Sequence, residues 1–261
     1  MQDSPDAIDF GPAAHFLPGV PGGPGEDVIF VCEHASNRIP GALRGLGLSP
    51  DAQRSHVAWD PGALALAQLM AERIGAPLVH GGVSRLVYDC NRPPEAASAI
   101  PDHVERFEIP GNTGLSAADR AARTDAVYRP FHELLSDRIR ALRPMLRLMV
   151  TIHSFTPVFM GKQRDVEIGL LHGKDPSFAR MMVDTAPAQS SYVIRLNEPY
   201  SAADGVAHTL NLQGVANGLA NVMLEIRSDL IATGADQARM AELLTDWIGR
   251  ASAGLRAEGA A

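Results

Sequence analysis

The sequence predicts an α/β fold, a sandwich in which a mixed, mostly parallel sheet lies among helices. Two observations predict it. Short apolar, β-branched runs alternate with amphipathic stretches of helical period along the whole chain. Three of those apolar runs also stop abruptly at polar residues, around His34, His153 and Glu225. In such sheets ligands sit beyond the carboxyl ends of the strands, so these three positions are where chemistry is expected.

Residues 1–26 end in LPGVPGGPGE, where Pro and Gly oppose regular structure, and read as an N-terminal arm laid over a single domain of residues 27–261. Val28 to Cys32 is a buried strand delivering Glu33, His34, Ser36 and Asn37 to a loop. Pro61 to Ile74 places Leu66, Leu69, Met70 and Ile74 at helical spacing, and Gly75 is its C-terminal stop. Strands are expected at Pro77 to His80 and Arg85 to Cys90. An amphipathic helix runs from Ser116 to about Arg143, with Ser116 as N-cap and Asp119 three residues on, as in a capping box. Leu146 to Ile152 is the next strand, and it ends at His153 and Ser154. Val166 to His172 and Tyr192 to Leu196 are strands, with a helix from Phe178 to Ala186. Asn221 to Ile226 is a strand carrying Glu225, and Gln237 to Leu255 a closing helix.

Composition narrows the function. The chain has 261 residues, 46% hydrophobic and 20% charged, the profile of an ordinary globular protein able to bury a substantial core. Its net charge of −7 argues against a nucleic-acid surface, which needs clustered Lys and Arg to displace counterions. The two cysteines, Cys32 and Cys90, lie inside apolar runs and do not read as a disulfide scaffold. The N-terminus, MQDSPDAIDF, carries acid where a signal peptide carries positive charge, and no apolar run approaches a membrane span. The expectation is a cytoplasmic protein that binds neither nucleic acid nor membrane; nothing marks its oligomeric state.

The candidate chemistry is a metal site. A catalytic zinc takes three protein ligands from His, Asp, Glu or Cys and leaves a fourth position open. His34 in CEHASN and His153 in TIHSF each follow a buried strand, which holds an imidazole rigidly at the edge of a cleft. Asp60, in HVAWDPG, is either an N-cap of the following helix or an oxygen ligand. Asp89, Asn91 and Arg92 close the segment SRLVYDCNRPP that Arg85 opens. They form a surface ion pair, or else hold a substrate carboxylate and polarise a carbonyl. Glu225, amid the apolar residues of NVMLEIRSDL, is either salt-bridged to Arg227 or is a general base in a dry cleft.

Taken in order, CEHASNRIP, HVAWDPGA, SRLVYDCNRP, TIHSF and LEIRSDL resemble the N-formylglutamate amidohydrolase family over roughly residues 28–232. More distantly the set resembles zinc carboxypeptidases and aspartoacylase-type deacylases. The resemblance implies a three-layer α/β/α sandwich of the phosphorylase/hydrolase type and one zinc ion (Zn2+). It implies metal-binding roles for His34 and His153, an Asn91–Arg92 pair, and catalysis by Glu225. The carboxypeptidase pattern has a Glu ligand three residues after the first His, where this chain has Asn37, so the third ligand moves to Asp60. Arg92 would stabilise the oxyanion, and Arg85, Asn91, Arg164 or Arg227 would hold a carboxylate of a small-molecule substrate. The implied activity is hydrolysis of N-formyl-L-glutamate or a related N-acyl amino acid. The alternatives are another amide, such as a peptide end or cell-wall fragment, and a non-catalytic binding module on the same fold.

Overall fold

The computed structural model describes residues 8–187 and 191–258. Eleven strands follow in chain order: β1 (Ala14–Leu17), β2 (Val28–Cys32), β3 (Leu78–Gly81), β4 (His103–Val104), β5 (Phe107–Glu108), β6 (Leu148–Phe155), β7 (Val158–Phe159), β8 (Lys162–Gln163), β9 (Ile168–Leu171), β10 (Ile194–Leu196) and β11 (Ala220–Arg227). The α-helices are α1 (Pro50–Arg54), α2 (Ala63–Ile74), α3 (Ala117–Arg123), α4 (Arg129–Leu142), α5 (Ser177–Asp184) and α6 (Gly234–Glu258).

Seven strands form the main sheet, in the order β1-β3-β2-β6-β11-β9-β10. The central four, β3, β2, β6 and β11, are mutually parallel, while β1 and β9 run antiparallel to their neighbours β3 and β11. The sheet is therefore mixed and mostly parallel, and its central strands share one carboxyl edge.

The strand alternation sorts the core into two halves. Val28, Phe30 and Cys32 of β2, Leu148, Val150 and Ile152 of β6, and Val222, Leu224 and Ile226 of β11 pack with residues of α2, α5 and α6. Ile29, Val31, Met149 and Met223, one residue out of phase, pack with Phe131, Leu135 and Ile139 of α4 and with loop residues such as Leu46, Val57 and Leu86. Helices thus cover both faces, the three-layer arrangement expected. Inside α2, Leu66, Ala67, Met70 and Ala71 are the buried stripe, and Gly75 ends the helix at φ 67°, where an L side chain would be strained. Trp247 of α6 ties the two helices together by donating from Nε1 to the Met182 carbonyl of α5 at 2.8 Å.

Three expectations need correction. The Arg85–Cys90 segment is buried but not a strand. Its backbone N–H groups go to loops and a local turn, Arg85 to the Ala58 carbonyl, Val87 and Tyr88 to that of Ser84 and Asp89 to that of Ala99, so it packs as irregular chain. The expected long helix from Ser116 is divided by a single π-helical segment, Thr124–Tyr128. Pro130, lacking an N–H, removes one bond of the regular ladder just beyond it. Its start is as expected, with Ser116 and Asp119 forming a reciprocal capping box. Finally, the arm supplies a sheet strand, β1. Arg38 secures the chain before it by donating to the carbonyls of Phe10, Pro12 and Gly82, each at 2.8 Å. Residues 1–7 of the arm lie outside the described residues.

Candidate active site

The site forms where β2, β6 and β11 end. β6 and β11 are in register, with His153 beside Glu225, and β2 joins them with Val31 beside Thr151. Continuing that register by two residues puts Glu33 beside His153. Glu33, His153 and Glu225 therefore fall in one row on one face of the sheet, and all three are buried. Beyond Glu225 the row is bare, because its neighbour on β9 is Gly169. A Cβ there would lie 2.1 Å from the Glu198 carbonyl oxygen, so only glycine lets the chain after β10 cross at that point.

Asp60 reaches the row from the loop before α2. Its N–H donates to the His34 carbonyl at 3.0 Å, and its Oδ2 accepts from Ser154 N–H at 3.3 Å. It does not cap α2. The N-cap is Gly62, with no side-chain cap bond, which leaves the Asp60 carboxylate to the site.

Among the described residues, His34, Asp60 and His153 form a buried group whose ligand atoms all lie within 4.8 Å of one another. Asp60 Oδ2 is 3.3 Å from His34 Nδ1 and 2.9 Å from His153 Nδ1. Ligands about 2.1 Å from a tetrahedral ion lie about 3.4 Å apart, so the two distances from Asp60 are near those of ligands sharing one metal. The far nitrogens are held as well. His34 Nε2 contacts Asp89 Oδ1 at 2.7 Å. His153 Nε2 lies 3.1 Å from Glu33 Oε2, close enough for an ion pair but poorly aligned for a hydrogen bond. The Asp89 carboxylate on His34 Nε2 favours the tautomer with the proton there, which turns the acceptor Nδ1 toward the three-donor group.

The electrostatics agree. Burial and Arg85 press His34 toward neutrality, yet Asp89 and Asp60 outweigh them and raise its pKa. Burial likewise opposes charge on His153, but Glu33 and Asp60 hold its pKa well above the ordinary value. In return, and against burial, Glu33, Asp60 and Asp89 are held below the usual carboxylate range by the imidazoles, Asp89 also by Arg85. A pocket negative enough to charge two buried imidazoles is one that attracts a metal cation. Glu225 behaves differently. Burial pushes its carboxyl up to about 7, helped by Asp60 and opposed by His153, and its Oε2 is buried without a hydrogen-bond partner.

The expected arginines and amides are spread more widely. Arg85 spans Asp60 Oδ1 at 3.4 Å and Asp89 Oδ2 at 3.0 Å and lines the cleft. Arg92 and Asn91 also line it. Both ends of the Asn91 amide are engaged, Nδ2 donating to the Val206 carbonyl and Oδ1 accepting from Thr209 N–H. Arg164 lies stacked on Phe155, Phe159 and Tyr200 and donates to the Tyr200 hydroxyl at 3.1 Å. Arg227 is paired with Glu167 and Asp229, not with Glu225. Asn37 donates to the Gln53 carbonyl, away from the three-donor group. The cleft above these residues has a volume of about 360 Å³.

A family profile described as N-formylglutamate amidohydrolase matches residues 26–232. This chain belongs to that family. A gene product from Agrobacterium tumefaciens of known structure is 48% identical to it, with 94% of this chain and 97% of that one aligned and a TM-score of 0.89. The crystal structure of an N-formylglutamate amidohydrolase from Ralstonia eutropha is 17% identical, with 94% and 99% aligned and a TM-score of 0.62. That second likeness speaks for the fold alone. No curated protein gives a significant match. Membership in the N-formylglutamate amidohydrolase family makes the chain an amide hydrolase acting on a small molecule. No helix among the described residues is long and apolar enough to cross a membrane.

Two features of the site were missed by sequence reasoning. Glu33 was assigned only to the loop, although its phase with Val31 and the equivalent phases of His153 and Glu225 place it in the same row. Tyr200 lines the cleft from the segment after β10, and no local pattern in NEPYSAADG signals that.

Proposed function

We propose that this member of the family is a zinc-dependent hydrolase of N-acyl amino acids, N-formyl-L-glutamate or a relative of it. The observation that carries the reading is the convergence of His34, Asp60 and His153 beside the unpartnered carboxylate oxygen of Glu225. One zinc ion held by His34, Asp60 and His153 supplies Lewis acidity and lowers the pKa of water in the cleft.

The protein's own groups do the rest. Glu225 accepts the proton of the attacking water at its free oxygen and later delivers it to the departing nitrogen. Its environment suits both halves of that cycle, because burial favours the protonated form while the positive charges nearby favour the carboxylate. Arg85, beside Asp60, has the better position to stabilise charge on the carbonyl oxygen. Arg92, whose Nε and Nη2 make no hydrogen bond among the described residues, is better suited to grip a substrate carboxylate. Asn91 supports the wall that carries Val206 and Thr209. We place the protein in the cytoplasm, in keeping with two buried free cysteines.

Metal-stripped protein reloaded with zinc should release formate from N-formyl amino acids, measured with formate dehydrogenase. A metal-loaded protein inert toward formyl, acetyl and short peptidyl amides would sink the reading. Asp89 should matter without touching substrate. Asp89→Asn weakens the acceptor on His34 Nε2, and zinc affinity, measured against a competing chelator, should fall by about 10- to 100-fold.

A further inference from the structure

The chain after β10 crosses the sheet next to Glu225. Gly169 of β9 is the neighbour of Glu225, and the Glu198 carbonyl packs against it where even a Cβ would collide. Two residues on, Tyr200 therefore enters the cleft close to Glu225, and it shares the lining with Asp60, Arg85 and His153.

The phenol is held from behind. Arg164 donates from Nη2 to the Tyr200 hydroxyl at 3.1 Å and from Nη1 to the Thr156 carbonyl at 3.3 Å. Its guanidinium also stacks on the rings of Phe155, Phe159 and Tyr200, at 5.4, 4.6 and 5.0 Å from their centroids. No carboxylate pairs with Arg164 among the described residues, so its positive charge acts on the phenol undiminished. A hydroxyl that accepts from a guanidinium turns its own hydrogen away and donates it more strongly. Among the described residues that hydrogen meets no acceptor, because the contact with Arg164 is the only hydrogen bond of the hydroxyl. The hydrogen also stays in place. Burial and the charge of Glu225 raise the phenol above its ordinary range, against the pull of Arg164 and Arg85.

On the hydrolase reading above, the scissile carbonyl lies between Glu225, which takes the proton of water, and Arg85, which stands beside Asp60. Resting on that reading, we infer that Tyr200 is a further catalytic residue, whose hydroxyl donates to the carbonyl oxygen as negative charge develops there, with Arg164 as the residue that positions and polarises it. The phenol gives a hydrogen bond and keeps its proton; Glu225 alone carries a proton from water to nitrogen.

Tyr200→Phe keeps the ring and its stacking and removes only the donor. In zinc-loaded protein it should lower kcat for formate release from N-formyl-L-glutamate by roughly 100-fold, as the loss of one oxyanion donor does, with zinc content and Tm unchanged. Binding should hardly move. Titration calorimetry in the Glu225→Gln background should give Kd values within about 3-fold with and without Tyr200→Phe. Arg164→Gln should lower kcat by about 10-fold in the tyrosine protein and by much less in Tyr200→Phe, the coupling expected of a residue that acts through the hydroxyl. Arg164→Lys, which keeps a cationic donor, should recover part of the loss, which a merely loosened fold would not allow. An unchanged kcat in Tyr200→Phe overturns the inference. So does a loss that appears wholly as weaker binding, which makes Tyr200 a grip for a substrate carboxylate instead. Both outcomes leave the hydrolase reading intact, because the unsubstituted protein still releases formate. If the unsubstituted protein is inert toward formyl, acetyl and short peptidyl amides, that reading fails and the inference with it.

Discussion

Replacing Glu225 by Gln should lower turnover by roughly 100-fold or more while leaving bound zinc and Tm near those of the unsubstituted protein. The substitution keeps the shape of the side chain and removes the proton acceptor. Glu225 is 4% exposed, and its Oε2 has no protein partner to lose, so the folded state is little disturbed. Nor does it belong to the three-donor group formed by His34, Asp60 and His153. Rate, zinc content by elemental analysis and thermal melting, taken together, decide the matter. Loss of zinc makes Glu225 a ligand, and undiminished hydrolysis removes it from the chemistry altogether.

Asp60→Ala should weaken zinc binding by more than about 100-fold, beyond what the loss of an outer partner costs. Asp60 Oδ2 is the atom both imidazoles face, at 3.3 and 2.9 Å. Glu33 and Asp89 are occupied on the far sides of the rings. Asn37→Ala removes a single bond to the Gln53 carbonyl and should leave zinc affinity within a few-fold of its starting value, on the order of a weak solvent-shared hydrogen bond. Affinities measured by chelator competition for the two variants give the ranking. The opposite order would return the ligand role to position 37.

These residues also mark how far the sequence could be read. β2, β6 and β11 were legible because each is a run of mostly apolar residues buried on both faces, with a polar break toward the end. That break is what exposed His34, His153 and Glu225. Asp60 was ambiguous, since a carboxylate before a Pro and a helix fits a cap equally well. Only the left-handed Gly62, taking the cap position itself, resolves it. Arg85–Cys90 misled because Leu86, Val87 and Tyr88 are as buried as strand residues while their N–H groups turn back on Ser84, Leu86 to its hydroxyl and the other two to its carbonyl. Burial sets composition, but hydrogen-bond partners set conformation, and only the first is written locally. Tyr200 and Glu105 reach the cleft through long-range folding of irregular segments, which no periodicity records.

The row of Glu33, His153 and Glu225, closed by Asp60, also bears on how the chain acquires its metal. The three metal-ligand candidates at this edge, His34, Asp60 and His153, come from three separate segments between positions 34 and 153. A partly folded chain therefore offers zinc only scattered, weak donors, while the completed sheet offers all three at once. On the proposed zinc reading, the ion would pin the loops that join β2, α2 and β6, and its binding free energy would add to the free energy of folding. Zinc uptake should accordingly follow sheet assembly, and chelation should loosen this carboxyl edge before it disturbs the two apolar layers beneath.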